Sequence, residues 1–145
     1  MKNIKKKIEN IIKNIKEEFF SESEFQIYLA TELAKEYYPQ KKGDYVKIEE
    51  NNKGKRIDIV ISKNDEKCFI EIKYKLKNYH IKRGVIECFR NNSTNKKYFD
   101  GDRKKLKELQ TIGKKIFVFI TNDKNHAKNK ILNLSEMFYE VEEID

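Results

Sequence analysis

Two short runs with alternating isoleucines constrain the fold of this chain more than any other feature. They span residues 56–61 and 68–75, and a polar Lys-Asn-Asp-Glu connection at 63–66 lies between them. Alternation with period 2 is typical of β-strands, and the connection has the length of a hairpin turn. The pattern predicts a β-hairpin in which Ile57, Ile59 and Ile61 share one face. On the second strand, Ile70 and Ile72 share a face with the tyrosine that follows them.

The same hairpin carries charged side chains that alternation assigns to one side. If the two isoleucine faces coincide, then Asp58, Glu71 and Lys73 converge on the opposite side. Two carboxylates and an ammonium group on mostly apolar strands are costly to remove from water, and chains tolerate that cost mostly for chemistry. A hard divalent cation is the natural partner for such carboxylates. The pattern therefore predicts a site on this hairpin.

The charge of the chain favours an anionic partner. The formal net charge is +8, and residues 131–145 hold five acidic residues with no lysine or arginine, which leaves +13 on residues 1–130. A basic body of this kind is typical of proteins that bind nucleic acid or an anionic membrane surface. An AT-rich coding sequence would also enrich lysine, asparagine and isoleucine, so this alternative source of the lysines stays open.

Length and cysteine content narrow the class of protein. A chain of 145 residues is expected to form one domain. No apolar run approaches the length of a membrane-spanning helix, and the basic N-terminus lacks the apolar stretch of a signal peptide. The two cysteines have no metal-ligand spacing. We expect a cytoplasmic protein without a membrane partner.

Helical spacing predicts two helices before the hairpin. Isoleucines recur at helical intervals over residues 2–20, which indicates an amphipathic helix that covers the core or a dimer partner, with a membrane-surface helix as the alternative. A second helix is expected from about Ser21, capped by Ser21 with Glu24 or by Ser23 with Gln26, and ended by Pro39. A strand is expected over residues 44–50.

The second half of the chain is less regular. Ile81, Val85, Ile86 and Phe89 suggest a short helix, and residues 91–97 are expected to form a loop. A further helix is predicted over 98–112, with Gly113 as its stop. Residues 115–121 form a continuous apolar run that is typical of a buried strand. Helix–strand–helix material is expected to follow, up to the acidic end.

These elements predict an α/β (α+β) fold with a mixed central β-sheet flanked by helices. We expect a single domain with three parts. They are an N-terminal amphipathic helix at 1–20, a core at 21–123 and a C-terminal acidic extension at 124–145.

Asp58, followed after a hairpin by Glu71-Ile72-Lys73, resembles the PD-(D/E)xK nuclease signature, with Ile57 in place of the proline. The resemblance covers roughly residues 21–123 and is to small restriction-endonuclease-like proteins of uncharacterised role. It implies a restriction-endonuclease-like core and a metal-dependent hydrolase that cleaves phosphodiester bonds. It also implies that Asp58 and Glu71 bind Mg²⁺ or Mn²⁺ together with the backbone carbonyl of Ile72.

The resemblance assigns two further roles. Lys73 would orient the attacking water or stabilise the developing negative charge. Glu22, on the predicted second helix, would complete the site, with Gln26 as a weaker polar candidate and Asp102 as a later carboxylate that could reach it. Basic residues near these elements could contact phosphates, although each can equally be a solvated surface residue. They are Lys53, Lys55, Arg56, Lys75, Arg83 and Arg103.

DNA is favoured over RNA as the substrate. Cutting both strands of a duplex generally needs two active sites, so a homodimer is expected, with the stripe from Ile4 to Phe19 as its surface. Two alternatives remain from the sequence. One is a catalytically inactive nuclease fold that binds nucleic acid or protein. The other is an accessory or immunity-type module that binds a partner through its acidic tail and N-terminal helix.

Overall fold

The computed structural model describes residues 1–19, 21–75 and 92–145, which form three helices and six strands. The helices are α1 (Ile4–Lys13), α2 (Glu22–Glu36) and α3 (Asn92–Lys107). The strands are β1 (Tyr45–Asn52), β2 (Lys55–Lys63), β3 (Glu66–Lys75), β4 (Lys114–Thr121), β5 (Asn129–Ile131) and β6 (Leu134–Ile144).

The strands form one mixed sheet in the order β1-β2-β3-β4-β6-β5. All neighbouring strands are antiparallel except β3 and β4, which are parallel. A parallel pair needs a crossover connection, and the segment between β3 and β4 contains α3. The predicted α+β architecture, a mixed sheet flanked by helices, is confirmed.

Each face of the sheet is covered by different helices. On one face, α1 and α2 pack against the sheet through a cluster that includes Ile8, Leu29 and Ile70. On the other face, Leu106 and Leu109, from the end of α3 and the turn after it, pack against a smaller aromatic cluster of the sheet. Glu71 and Lys73 of β3 lie on this second face, between the sheet and α3.

The N-terminal isoleucines are part of the main core. Ile4, Ile8 and Ile12 are fully buried, and Ile15 follows the helix and is also buried. Helix α1 ends at Lys13, so the predicted helix over 2–20 was too long and Phe19 lies outside it. Because the stripe packs against this chain's own sheet, it is not available to a membrane surface or to a second copy.

Local signals placed α2 and the β2–β3 turn correctly. The Ser21 hydroxyl accepts a hydrogen bond from the Glu24 amide at 3.0 Å, as the predicted N-cap requires. The turn residues Asn64 and Asp65 have φ values of 52° and 66°, the left-handed region that two-residue hairpins favour.

Helix α3 departs from its predicted bounds. Residues 92–97 are helical, so the predicted loop there is wrong, and the helix ends at Lys107 rather than at Gly113. Ile112, the last residue of the predicted helix, lies beyond α3 and is 93% exposed. The short helix predicted from Ile81, Val85, Ile86 and Phe89 lies outside the described residues.

The acidic C-terminal segment is part of the sheet. Strand β6 lies between β4 and β5, and the described residues after β4 include no helix, so the predicted helix–strand–helix arrangement is wrong. Met137, Tyr139 and Val141 are buried and alternate with Glu140 and Glu142. This period of 2 is the strand signal, which the concentration of acidic residues masked.

Gly113 brings the start of β4 close to β3. A Cβ atom there would lie 2.7 Å from the Lys67 carbonyl oxygen and 2.9 Å from the Phe69 ring. We expect Gly113→Ala to lower the free energy of unfolding by about 1–3 kcal/mol in urea denaturation, since backbone must shift to relieve the contact. Gly101→Ala is the control, because its Cβ meets nothing within 4 Å in α3. A Gly113→Ala variant as stable as Gly101→Ala would contradict this.

Candidate active site

Strands β2 and β3 stop pairing at the point where the predicted site begins. Their ladder runs from Lys63 opposite Glu66 to Ile59 opposite Ile70 and ends there. Beyond it, side chains satisfy the β3 amides. The Ile72 amide donates to Asp58 Oδ2 at 2.7 Å, and the Tyr74 amide donates to Glu22 Oε2 at 2.9 Å.

The chain is irregular at this point. Ile57 packs in the α3-side cluster with Val60, whereas Ile59 and Ile61 belong to the opposite cluster. Strict alternation through Asp58, which predicted one face for all three isoleucines, is therefore wrong for Ile57. The neighbouring strand carries a left-handed residue, Glu49, with φ 55°. On β3 the predicted alternation is confirmed, with Ile70, Ile72 and Tyr74 in one cluster and Phe69 in the other.

The structure brings Asp58 and Glu71 together. Oε1 of Glu71 accepts a hydrogen bond from the Asp58 amide at 3.1 Å. Glu71 is 2% exposed. Burial, followed by the neighbouring Asp58 carboxylate, raises the pKa of Glu71 to about 8. Burial also raises the pKa of Asp58, although the hydrogen bond from Ile72 opposes this. The buried Glu71 carboxylate and the half-buried Asp58 carboxylate thus share a site that disfavours two negative charges.

Helix α3 supplies two charged side chains that pair with the β3 residues. Nζ of Lys73 lies 3.3 Å from Asp102 Oδ2, and Nζ of Lys105 lies 3.1 Å from Glu71 Oε1. Asp102 and Lys105 are three residues apart, so they lie on one face of the helix. Asp102 does reach the site, as the resemblance implied. The contact of Lys105 with Glu71 was not predicted, although its spacing from the buried Leu109 placed it near the packed face.

Helix α2 contributes at its first turns. Glu22 accepts the Tyr74 amide, and Gln26 Nε2 donates to the Asp58 carbonyl at 2.7 Å. These two residues are four apart and reach the opening between β2 and β3 from one helix face. Glu22 therefore lies at the same strand opening as Asp58. Gln26, the weaker candidate, contacts the Asp58 backbone directly and is buried.

Three of the six basic residues proposed to contact phosphates have acidic partners in the described part of the chain. Lys55 pairs with Glu108 at 3.0 Å, and Arg56 pairs with Glu49 at 3.3 Å. The other described candidates differ in their surroundings, and Arg83 lies outside the described residues. Lys53 is exposed in the β1–β2 turn, and Lys75 is half-buried at the end of β3. Arg103 pairs with Glu142 at 2.5 Å, and its guanidinium group lies over the Phe117 ring.

This chain matches no protein-family model, no curated protein and no solved structure. Its resemblance to PD-(D/E)xK nucleases therefore remains a prediction from residues. Among residues 1–19, 21–75 and 92–145, none of the helices is both long enough and apolar enough to cross a membrane.

The donor set can be compared with what a hard cation needs. In the described part of the chain, no group of three or more histidine, cysteine, aspartate or glutamate residues is arranged to hold a metal ion. Mg²⁺ is commonly bound through one or two carboxylates, with waters and substrate phosphates as its other ligands. Asp58 and Glu71 fit that pattern. An ammonium cation, Lys105, already lies against Glu71, so the site has affinity for positive charge.

Proposed function

We propose that this protein is a metal-dependent nuclease that hydrolyses phosphodiester bonds, with DNA favoured over RNA. The observation that carries the proposal is the meeting of Asp58 and Glu71 where β2 and β3 separate, with the charge of Lys73 near enough to oppose the rise in the pKa of Asp58. The two carboxylates accept hydrogen bonds from the backbone amides of Asp58 and Ile72. Ordinary strand pairing would satisfy the same amides without removing charged groups from water, so strand pairing alone does not account for the two carboxylates. A net charge of +8 suits a phosphate polymer.

Each residue of the site has a separate role in the proposed reaction. Asp58 and Glu71, with the Ile72 carbonyl, would hold Mg²⁺ or Mn²⁺. The bound ion supplies a Lewis acid for the phosphate and lowers the pKa of water. Lys73 places a positive charge near Asp58, where it would stabilise the negative charge that develops on the phosphate. Glu22 and Gln26 hold the strand opening by accepting the Tyr74 amide and donating to the Asp58 carbonyl.

A second function is favoured by one specific observation. Lys105 and Asp102 balance the charges of Glu71 and Lys73, so the site is also a partly buried ion-pair network. Such networks occur in proteins without catalysis. A catalytically inactive nuclease fold that binds nucleic acid or protein would keep these pairs. An accessory or immunity-type module would bind a co-encoded partner instead.

Cleavage assays separate these functions. We expect the pure protein to cut supercoiled, linear, branched or single-stranded DNA in Mg²⁺ or Mn²⁺, and EDTA to abolish cleavage. Asp58→Asn should lower the rate by about 10²-fold, because a neutral amide is a weaker ligand. Asp65→Asn is the matched control, since Asp65 lies at the far end of the same hairpin and is 95% exposed.

Two outcomes would reject the nuclease. Equal cleavage by the wild type and Asp58→Asn would identify a contaminant. Binding of DNA without cleavage under every metal condition would favour the inactive module. Single-stranded RNA in the same assay tests the preference for DNA. Two active sites are needed to cut both strands of a duplex at once, so light scattering with and without DNA tests the proposed homodimer.

A further inference from the structure

We propose that Lys105 holds the place of the divalent cation beside Glu71 and that the cation must displace it to bind. This inference rests on the proposed function and names a competitor built into the same site. Nζ of Lys105 lies 3.1 Å from Glu71 Oε1, the oxygen that also accepts the Asp58 amide. A cation held between Asp58 and Glu71 would use the same oxygen atoms.

The two positive charges exclude each other. An ammonium group and a divalent ion on one carboxylate oxygen would lie within a few ångströms, where like charges repel strongly in a poorly hydrated site. The Glu71 side chain is 3% exposed, so it is screened little by water. Whenever the Glu71 carboxyl group is ionised, Lys105 therefore acts as its counterion in the metal-free protein, and removal of that counterion without replacement would leave a buried charge unpaired.

The Lys105 side chain is positioned so that its ammonium group can move away from Glu71. Its side chain is 30% exposed, ten times more than that of Glu71, and lysine carries its charge on a flexible four-carbon stem. The helix itself is anchored, since Leu106 and Leu109 are buried against the sheet. Displacement therefore needs only a change of side-chain rotamer. The released ammonium group stays at the mouth of the site, where it can contact a phosphate of the substrate.

Lys73 does not fill this role. Its ammonium group lies 3.3 Å from Asp102, and its side chain is 17% exposed. Asp102 thus holds Lys73 toward α3, while Lys105 from the same helix reaches Glu71. The two lysines are predicted to respond differently to a cation, with Lys73 retained and Lys105 expelled.

Mn²⁺ affinity tests the proposal without relying on activity. Titrations of the full chain, followed by calorimetry and by the electron paramagnetic resonance signal of free Mn²⁺, would compare wild type with Lys105→Met. We expect Lys105→Met to bind Mn²⁺ about tenfold more tightly, because the competing charge is gone. Lys105→Gln keeps a donor for Glu71 and should show the same direction. Lys104→Met is the control, since Lys104 is 76% exposed on the same helix.

Each outcome decides a different point. Tighter binding by both Lys105 variants, with Lys104→Met unchanged, supports displacement, as does binding by the variants alone. Equal or weaker binding by folded Lys105→Met and Lys105→Gln, with the wild type binding Mn²⁺, would overturn displacement and leave the nuclease proposal standing. Absence of Mn²⁺ binding in every variant would reject the metal site, and the inference with it.

Discussion

Glu71→Gln is expected to abolish most cleavage while making the metal-free protein more stable. The amide is a neutral and weaker ligand, so we expect the cleavage rate in Mg²⁺ to fall by about 10³-fold. The free energy of unfolding of the metal-free protein should rise, because Glu71 is 2% exposed and its pKa is raised to about 8 by burial and by Asp58. Above that pH, folding must bury a charge that glutamine lacks.

The effect on stability depends on pH in a defined direction. Below the ordinary glutamate pKa of 4.5, Glu71 is protonated in both the folded and unfolded states and resembles glutamine. Between 4.5 and about 8, the unfolded chain loses this proton while the folded protein retains it, so the wild type loses stability as pH rises. The stabilisation of Glu71→Gln over the wild type should therefore grow across this window and level off above it.

Urea denaturation in EDTA at about pH 5 and about pH 9 measures this difference. We expect the two proteins to be similar at the lower pH and the variant to be more stable by about 1–3 kcal/mol at the higher pH. Glu136→Gln, at an exposed position of β6, controls for the change in net charge. A constant difference across pH would show that Glu71 is ionised throughout. Added Mn²⁺ should stabilise only the protein with the carboxylate.

Short-range patterns were sufficient to predict the hairpin and its main charged residues. Alternation assigns Ile70 and Ile72 to one side of β3, which leaves Glu71 and Lys73 for the other, and the protein follows that assignment. The same rule failed at Ile57, because alternation assumes regular strand pairing and the β1–β2 register skips Glu49 and Asp58. The failure occurs beside Asp58, where the β2–β3 ladder ends and carboxylates take over its hydrogen bonds.

The contribution of α3 could be predicted only in part. Asp102 and Lys105 have the helical spacing that puts them in line with Leu106 and Leu109, and this is visible in the sequence. Their contacts with Lys73 and Glu71 depend on where α3 crosses the sheet, which is set by packing between residues far apart in the chain. A helix boundary error of several residues, as occurred at Lys107, further obscures such a contact.

The position of the C-terminal segment could not be predicted from its composition. Its charge suggested a separate acidic extension, yet Met137, Tyr139 and Val141 alternate with polar residues in a strand that pairs with β4. Long-range pairing decides the position of such a strand, and composition does not report it. The consequence for function is direct, since the acidic residues of β6 pair with Arg103 and Lys114 instead of forming a detached tail.

Lys73→Met is expected to lower the cleavage rate by about 10²–10³-fold while leaving Mn²⁺ affinity within about threefold of the wild type. The reason is that Lys73 contacts Asp102 and is proposed to act on the substrate phosphate, whereas Asp58 and Glu71 hold the ion. Lys67→Met, on the same strand at the hairpin end away from the site, is the matched control. Single-turnover cleavage and Mn²⁺ titration on the same preparations give the two readouts.

This pairing of readouts separates three roles for charged residues around one carboxylate pair. Glu71→Gln should weaken Mn²⁺ binding, Lys105→Met should strengthen it, and Lys73→Met should change catalysis alone. Asp102 Oδ2 is already buried without a hydrogen bond from the described residues, and Lys73→Met also removes its ion pair, so Lys73→Met/Asp102→Asn is needed to remove that destabilisation. Recovery of cleavage in the double variant would mean that Lys73 serves only as the counterion of Asp102. Continued loss, with stability restored, is the result expected of a lysine that acts on the phosphate.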